Sequence, residues 1–201
     1  NISFSWLLLI ISYAGLYVGI RFFGMRSFKN LIVFLLGLIA FQGSLLFEKQ
    51  QVFSKEELVV FHQNRKTIIG IKTGNTLIVY HDLDPLKIKE SSLLKNYKVG
   101  EKIDETTHKF GIPNILKYKK RHLLVVDSLG IYAIPVLKHS IVLLSQSPKI
   151  NIERLIQKLQ PSNIIADGSN YKNQVKQWKM VCDKKKVPFH YTKTDGAFIL
   201  D

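Results

Sequence analysis

The sequence predicts an α/β domain preceded by two transmembrane helices, and two contrasts along the chain carry that prediction. No Asp or Glu occurs before Phe47, whereas all 15 acidic residues follow it. The first part holds two long apolar runs, and the second part holds short β-rich runs that later alternate with helical patterns. Such alternation is typical of an α/β layer, here packed on an earlier β-meander.

The two apolar runs have the length of membrane spans. Residues 4–23 carry one charge, Arg21, near their end, and residues 30–47 carry none. A helix needs ~20 residues to cross ~30 Å of hydrocarbon. We therefore predict transmembrane helices over 4–23 and 30–47. The alternative is a pair of buried helices in a soluble core, where two uncharged runs of this length rarely follow one another.

The segment between the spans predicts their orientation. Arg21, Arg26 and Lys29 make the short loop basic, and basic loops stay on the cytoplasmic side of a membrane. A linker over 48–57 and a soluble domain over 58–201 are then expected outside the cytoplasm. Because the sequence opens inside an apolar run, we interpret the chain as part of a longer polypeptide with a membrane core upstream.

The soluble part begins with three β-rich runs, LVVF, TIIGI and TLIVY. We predict antiparallel strands, the last two joined by a tight turn in which Gly74 and Asn75 tolerate positive φ. Residues 82–120 are polar and Lys-rich and show no sustained period. Loops with short elements are expected there.

The second half alternates strands and helices. Strands are predicted at HLLVVD, GIYAIPV, SIVLL and NIIAD, and at the closing runs VPFHY and GAFIL. Asn151 is expected to cap a helix that ends before Pro161, and a second helix is expected over 172–185. Both helices carry an apolar stripe at helical spacing, which indicates core packing. The stripe residues are Ile152, Leu155, Ile156 and Leu159 in the first helix and Val175, Trp178, Val181 and Cys182 in the second.

The chain is strongly basic. Its net charge is +14 and its pI is about 9.8, which favours an anionic partner such as nucleic acid or an acidic lipid surface. A basic surface next to a membrane is the alternative explanation of the same charge. Cys182 is the only cysteine, so an intrachain disulfide and a thiolate zinc cluster are both excluded.

Basic residues concentrate in runs suited to phosphate contacts. One run surrounds Tyr118, whose ring is a candidate for stacking on an unpaired base, and another ends the second helix. A solvated loop and a cation-rich helix C-terminus explain the same runs without a ligand. The DNA-binding candidates are Arg65, Lys66, Lys117, Tyr118, Lys119, Lys120, Arg121, Lys184, Lys185 and Lys186.

The six histidines are well separated in the sequence, whereas a metal-dependent hydrolase needs several imidazoles and carboxylates to converge. The nearest approach to a cluster is the run HDLD from His81, which a turn at a strand end also explains. The sequence has no Gly-rich phosphate loop and no Ser nucleophile elbow. An atypical metal-dependent phosphodiesterase would depend on His62, His81, Asp82 and Asp127.

The order of segments is itself informative. Two predicted spans are followed by a strand-turn-strand and then by strand–helix–strand–helix–strand. Within it, ERLIQKLQPSNIIADGSN contains Pro161, Gly168 and Asn170, and VPFHYTKTDGAFIL closes the chain. This order resembles the C-terminal part of the ComEC competence family, membrane channels that pass single-stranded DNA. Many members carry a metallo-β-lactamase-like domain after the membrane core.

The family's metal-site motifs are degenerate in this chain. Val60–Arg65 matches the family's Asp-Val-Gly-Gln-Gly-Asp and keeps only Gln63, while Leu124–Asp127 matches Leu-Leu-x-Gly-Asp and keeps Asp127. Ser145–Pro148 falls on His-His-Gly-Ser, and the His-x-His-x-Asp-His run and the later Gly-His-Pro are missing. The resemblance therefore implies a degenerate metallo-β-lactamase-like domain with no catalytic residues, metal or other cofactor, because such a site cannot generate a metal-bound hydroxide.

The resemblance also implies a biological role. We expect the C-terminal part of a DNA-uptake channel of natural transformation, a multi-pass protein of the bacterial inner membrane, whose non-catalytic soluble domain helps to guide DNA. The expected partners are single-stranded DNA, membrane lipid, the upstream membrane core of the same polypeptide and other competence proteins. The alternatives are a metal-dependent phosphodiesterase or nuclease and a membrane-anchored interaction module without a nucleic-acid role.

Overall fold

The structure is a computed structural model that describes residues 6–24, 28–132 and 139–201. Two helices come first, α1 over Trp6–Gly24 and α2 over Phe28–Ser54. Across the described residues, neither of these helices nor any later one is long and apolar enough to cross a membrane. The two spans therefore stay predictions. So does their orientation, which no observation here tests, and Arg26 of the basic loop lies outside the described residues.

Helix α2 continues beyond the apolar run that predicted it. Residues 48–54, expected to begin a linker, form its last turns, because Glu, Lys and Gln in this segment are good helix formers. Only Lys55 separates α2 from the first strand. The helix thus passes directly into the domain.

An antiparallel meander follows, as predicted. It comprises β1 over Glu56–Gln63, β2 over Lys66–Thr73 and β3 over Thr76–His81. In the turn between β2 and β3, Gly74 has a φ of +62°, a conformation that glycine adopts without a steric penalty.

Residues 82–120 are more regular than the sequence suggested. Helices α3 over Pro85–Glu90 and α4 over Ser92–Gly100 connect β3 to β4 over Glu105–Phe110, which lies parallel to β3. The helices escaped prediction because, at six and nine residues, they are too short to show a sustained helical period in the sequence. The crossover completes a first sheet in the order β10-β1-β2-β3-β4, in which β10 is the closing strand Phe198–Leu200.

The second sheet has the order β5-β6-β7-β8-β9. An antiparallel hairpin joins β5 to β6, and β6 to β9 run parallel to one another. Its strands are β5 Ile115–Tyr118, β6 Arg121–Val126, β7 Ile141–Leu144, β8 Asn163–Ala166 and β9 Phe189–Tyr191.

One predicted strand, GIYAIPV, is not formed where the structure describes it. Ile131 and Tyr132 lie outside any strand, and residues 133–138 fall outside the described residues. A turn accounts for the difference. The Gly130 N–H donates to the Asp127 carbonyl at 2.9 Å, and Gly130 has a φ of +67°, so the chain leaves the strand direction after β6.

The two predicted helices of the second half are confirmed as α5 over Ile152–Leu159 and α6 over Lys172–Lys185. The Asn151 side chain accepts a hydrogen bond from the Arg154 N–H at 3.0 Å, which is the expected N-cap. A short helix, α7 over Thr192–Asp195, precedes β10. The stripe of α5 is buried, as are Val175, Trp178 and Cys182 of α6.

The two sheets pack face to face between two layers of helices. Side chains of both sheets, including Ile69 and Leu143, meet in a central core. Helices α3 and α4 cover the outer face of the first sheet, and α5 and α6 cover that of the second. The predicted mixed α/β fold is confirmed.

Candidate functional site

The carboxyl ends of the parallel strands converge on the start of β2. Ser145 follows β7 and Asp167 follows β8, and both contact Thr67 of β2. The Thr67 hydroxyl donates to the Asp167 carboxylate, and its oxygen lies 2.7 Å from Ser145 Oγ. Ligands of α/β sheets bind outside the carboxyl ends of the strands, so this edge is where a site is expected.

Asp167 is completely buried at this edge. Its Oδ1 accepts hydrogen bonds from the N–H and hydroxyl of Ser169 and from the Asn170 amide. Burial raises the pKa of Asp167 to about 6, although the hydrogen bonds from Ser169 and Thr67 oppose the rise. The carboxyl group therefore ties the loop after β8 to β2 at an energetic cost when it is ionised.

Gly168 allows this loop to approach the β1–β2 turn closely. Its carbonyl accepts a hydrogen bond from the Arg65 N–H at 2.8 Å. A Cβ at position 168 would lie only 2.3 Å from the carbonyl oxygen of Gln63. Any larger residue would have to push the turn and the loop apart.

We expect Gly168→Ala to lower the free energy of unfolding by about 2 kcal/mol, because the added methyl meets backbone rather than a movable side chain. Urea unfolding of the full chain in detergent measures it. Gly100→Ala is the matched control, since nothing lies within 4 Å of a Cβ built there. Equal stability of the two variants would contradict the close approach.

The turn and the loop enclose a cleft of about 960 Å³ that is lined by three cations. Arg65 comes from the β1–β2 turn, Lys172 from the start of α6 and Lys193 from α7. In the described part of the chain, no Asp or Glu lines the cleft. The nearby Lys172 ammonium lowers the pKa of Lys193, because like charges disfavour each other's charged forms. An anionic ligand would relieve this repulsion.

The remaining walls of the cleft are polar and aromatic. Asn170 Oδ1 accepts from the Ser147 N–H, and Ser147 Oγ accepts from the Tyr171 N–H, both at 2.8 Å. These bonds join the loop after β7 to the start of α6. Tyr171 is 74% exposed, and Tyr191 lines the same cleft, so aromatic surface is available beside the cations.

Three of the DNA-binding candidates predicted from the sequence, Arg65, Lys66 and Tyr118, differ in their positions relative to the cleft. Arg65 lines it, and Lys66 donates from Nζ to the Asp82 carbonyl at 3.0 Å. Tyr118 is only 6% exposed and packs in the core between the sheets. The prediction that Tyr118 stacks on an unpaired base is therefore wrong, because its ring is already covered by the core.

The other candidates lie at the opposite end of the domain. Lys117, Lys119, Lys120 and Arg121 surround the β5–β6 turn, where β6 begins, whereas the cleft lies at the carboxyl ends of the parallel strands. Lys184 and Lys185 lie in the last turn of α6 and Lys186 is its C-cap residue, whereas the first turn of α6 lines the cleft. The structure does not bring these runs together with Arg65.

The alternative metal ligands are not assembled. His62 Nδ1 lies 3.1 Å from Thr192 Oγ1, and His81 Nδ1 lies 3.2 Å from the Leu83 carbonyl oxygen. The carboxylates of Asp82 and Asp127 accept backbone N–H groups of Thr67 and Leu129. Within the described ranges, no three His, Cys, Asp or Glu side chains are placed to hold a metal ion. The described residues do not fit the dinuclear metal site of the metallo-β-lactamase-like domains to which the resemblance points.

Comparison with known protein families decides the relationship. A family model described as the ComEC C-terminal domain matches residues 58–201, most of the chain. The chain belongs to the ComEC family. Searches of the curated proteins and of the solved structures found no match. Membership of the ComEC family indicates a competence protein of DNA uptake that is associated with a membrane.

In this ComEC domain, the cleft is lined by some residues that the sequence had singled out and by others that it had not. Ser145–Pro148, the stretch matched to His-His-Gly-Ser, contributes Gln146 and Ser147 to the lining. Lys172 and Lys193 were missed because neither belongs to the basic runs considered as DNA contacts. The available signal was that both follow strands of the parallel sheet, whose carboxyl ends share one edge.

Proposed function

We propose that this ComEC domain holds single-stranded DNA in the cationic cleft, as the non-catalytic, extracytoplasmic end of an uptake channel. The observation that carries the proposal is the convergence of Arg65, Lys172 and Lys193 in a cleft that no carboxylate of the described residues lines. DNA phosphates are the anions that such a cluster would bind in a competence protein.

A single strand suits the cleft better than a duplex does. The cleft volume of about 960 Å³ is at the upper end of the range for ligand pockets, and Tyr171 is exposed beside the cations. Unpaired bases stack on aromatic side chains while cationic groups follow the backbone. A duplex hides the faces of its bases and would leave Tyr171 without this contact.

We further propose that the domain is a degenerate metallo-β-lactamase-like domain that does not cleave DNA. Metal-assisted hydrolysis requires ligands that fix a metal ion and its water. The positions matched to the family's His-His-Gly-Ser are Ser145, Gln146, Ser147 and Pro148, and Asp127 bonds to the Leu129 N–H. These side chains support binding rather than hydrolysis.

The amino-terminal helices are proposed to insert in the bilayer as the two predicted spans. Large apolar side chains of both helices are exposed, including Trp6 at 83%, Ile20 at 73% and Leu46 at 68%. Contiguous apolar surface of this extent is a liability in water and is satisfied by lipid or by other helices. The polar domain begins directly after α2.

The test is binding of a fluorescent single-stranded oligonucleotide by the full chain in detergent, measured by anisotropy at several salt concentrations. The triple variant Arg65→Gln, Lys172→Gln, Lys193→Gln should lose at least about tenfold in affinity, and its salt slope should fall by about 2, as expected for three phosphate contacts on a single strand. The matched control is Lys158→Gln, Lys176→Gln, Lys179→Gln, at exposed positions of α5 and α6.

Three results would overturn parts of the proposal. Equal losses in the triple variant and in its control would reject the cleft as the binding site. Absence of salt-dependent binding by the native chain would favour an interaction module without a nucleic-acid role. Cleavage of the oligonucleotide with added Mn²⁺ or Zn²⁺, lost in Asp127→Ala, would show that the domain is an enzyme.

A further inference from the structure

The β5–β6 turn presents a compact group of cations. Lys117, Lys119, Lys120 and Arg121 are all exposed. Lys119 Nζ lies 5.2 Å from the centre of the Tyr118 ring, which faces the core. The turn therefore offers charge without exposed aromatic surface, in contrast to the cleft.

A second group of cations ends α6. Lys184, Lys185 and Lys186 are exposed, and Lys185 pairs with Glu153 at 2.5 Å, which leaves the group positive. Because α6 begins at the cleft and has 14 residues, its end lies about 20 Å away at the amino-terminal end of the second sheet. Both cationic groups thus share the end of the domain opposite the cleft.

The same end receives helix α2. A Cβ built on Gly74, in the β2–β3 turn, would lie 3.2 Å from the Phe53 carbonyl oxygen, so the last turn of α2 contacts that turn. Lys55 Nζ then pairs with Glu57 and Glu101, each at 2.9 Å. These contacts fix the point at which the chain enters the first sheet.

The alignment of the two sheets relates that entry point to the cationic groups. Thr67, at the start of β2, contacts Asp167 at the carboxyl end of β8. Leu58, near the start of β1, belongs to the same core cluster as Leu116 and Tyr118 of β5. The entry of α2 and the amino-terminal end of the second sheet are therefore on one side of the domain.

We propose that this end, comprising the β5–β6 turn and the end of α6, lies against the anionic headgroups of the membrane that receives α1 and α2. The inference rests on the proposed insertion of these helices. Lys and Arg beside an anionic lipid surface are attracted to it over a short distance. DNA is the less suitable partner here, because Tyr118 is covered by the core and is not available to stack on a base.

The experiment uses the full chain in lipid nanodiscs of phosphatidylcholine alone or of phosphatidylcholine mixed with phosphatidylglycerol. Hydrogen exchange of the amides over 117–121 is measured in both. We expect slower exchange in the anionic discs. The variant Lys119→Glu, Lys120→Glu should abolish the difference, and Lys176→Glu, Lys179→Glu, which makes the same charge change on exposed positions of α6, should preserve it.

The outcomes separate this inference from the one on which it rests. A chain that enters neither kind of disc would overturn membrane insertion and the lipid contact together. A chain that enters both and exchanges equally fast in both would overturn the lipid contact alone. Loss of oligonucleotide binding in Lys119→Glu, Lys120→Glu, with unchanged exchange, would assign the turn to DNA instead.

Discussion

Glu101→Gln is expected to lower the free energy of unfolding by about 3 kcal/mol, at the low end of the effect of removing one partner from a buried ion pair. Lys72 is completely buried in β2, and its Nζ lies 2.8 Å from the Glu101 carboxylate. The substitution leaves the ammonium group in the interior without that charge partner. Glu57 stays directly opposite Lys72 on β1, which is why the upper end of the range is not expected.

Urea unfolding of the full chain in detergent measures this effect. Glu105→Gln, at an exposed position of β4, removes the same charge and should change stability by no more than about 0.5 kcal/mol. The double variant Lys72→Met, Glu101→Gln should be more stable than Glu101→Gln alone, because it also removes the buried ammonium group that has lost its Glu101 partner. A double variant that is less stable than Glu101→Gln would disprove this account.

The second large effect is a dependence of stability on pH through Asp167. Its pKa rises from 3.8 to about 6 on folding, so the native state binds this proton more tightly than the unfolded chain does. The corresponding stability is fully present below about pH 4 and is lost as pH rises through about 6. A shift of this size corresponds to about 3 kcal/mol.

Asp167→Asn should remove this dependence and make the protein more stable than the native chain at pH 8. The side-chain oxygen of the new Asn can still accept from the Ser169 N–H. Its amide N–H can donate to Thr67 Oγ1, which reverses the direction of the native hydrogen bond between Thr67 and Asp167. Unfolding free energies at pH 4, 6 and 8 provide the measurement. Asp127→Asn is the control and should keep the native pH profile, whereas the same profile in Asp167→Asn would refute the role of its burial.

Local signals explain which elements of the fold were predicted. Helix α5 was predicted with its cap because Asn151 and the apolar stripe lie within one short segment. The crossover from β3 to β4 was not predicted. Its parallel pairing joins Thr76 to Glu105 across two short helices, so no local period of apolar residues in the sequence indicates it. The strand at GIYAIPV was predicted from composition, and the turn at Gly130 prevents it from starting there.

The candidate site was harder to predict than the fold. The dense run of basic residues from Lys117 to Arg121 was predicted to contact DNA, but it lies at the end of the domain opposite the cleft. Lys172 and Lys193 are 21 positions apart in the sequence, and they meet only because α6 returns the chain to β9 and α7. Arg65 was included as a candidate, but its partners depend on the approach of the β1–β2 turn to Gly168.

The length of β1 has a consequence for how the two cationic surfaces act. Its eight residues run from the entry of α2 to the turn that carries Arg65, a distance of about 26 Å. At physiological ionic strength, electrostatic interactions are screened within about 8 Å. In the proposed arrangement, negative lipid charge would neither repel DNA from the cleft nor compete for its cations, so each surface could be saturated independently of the other.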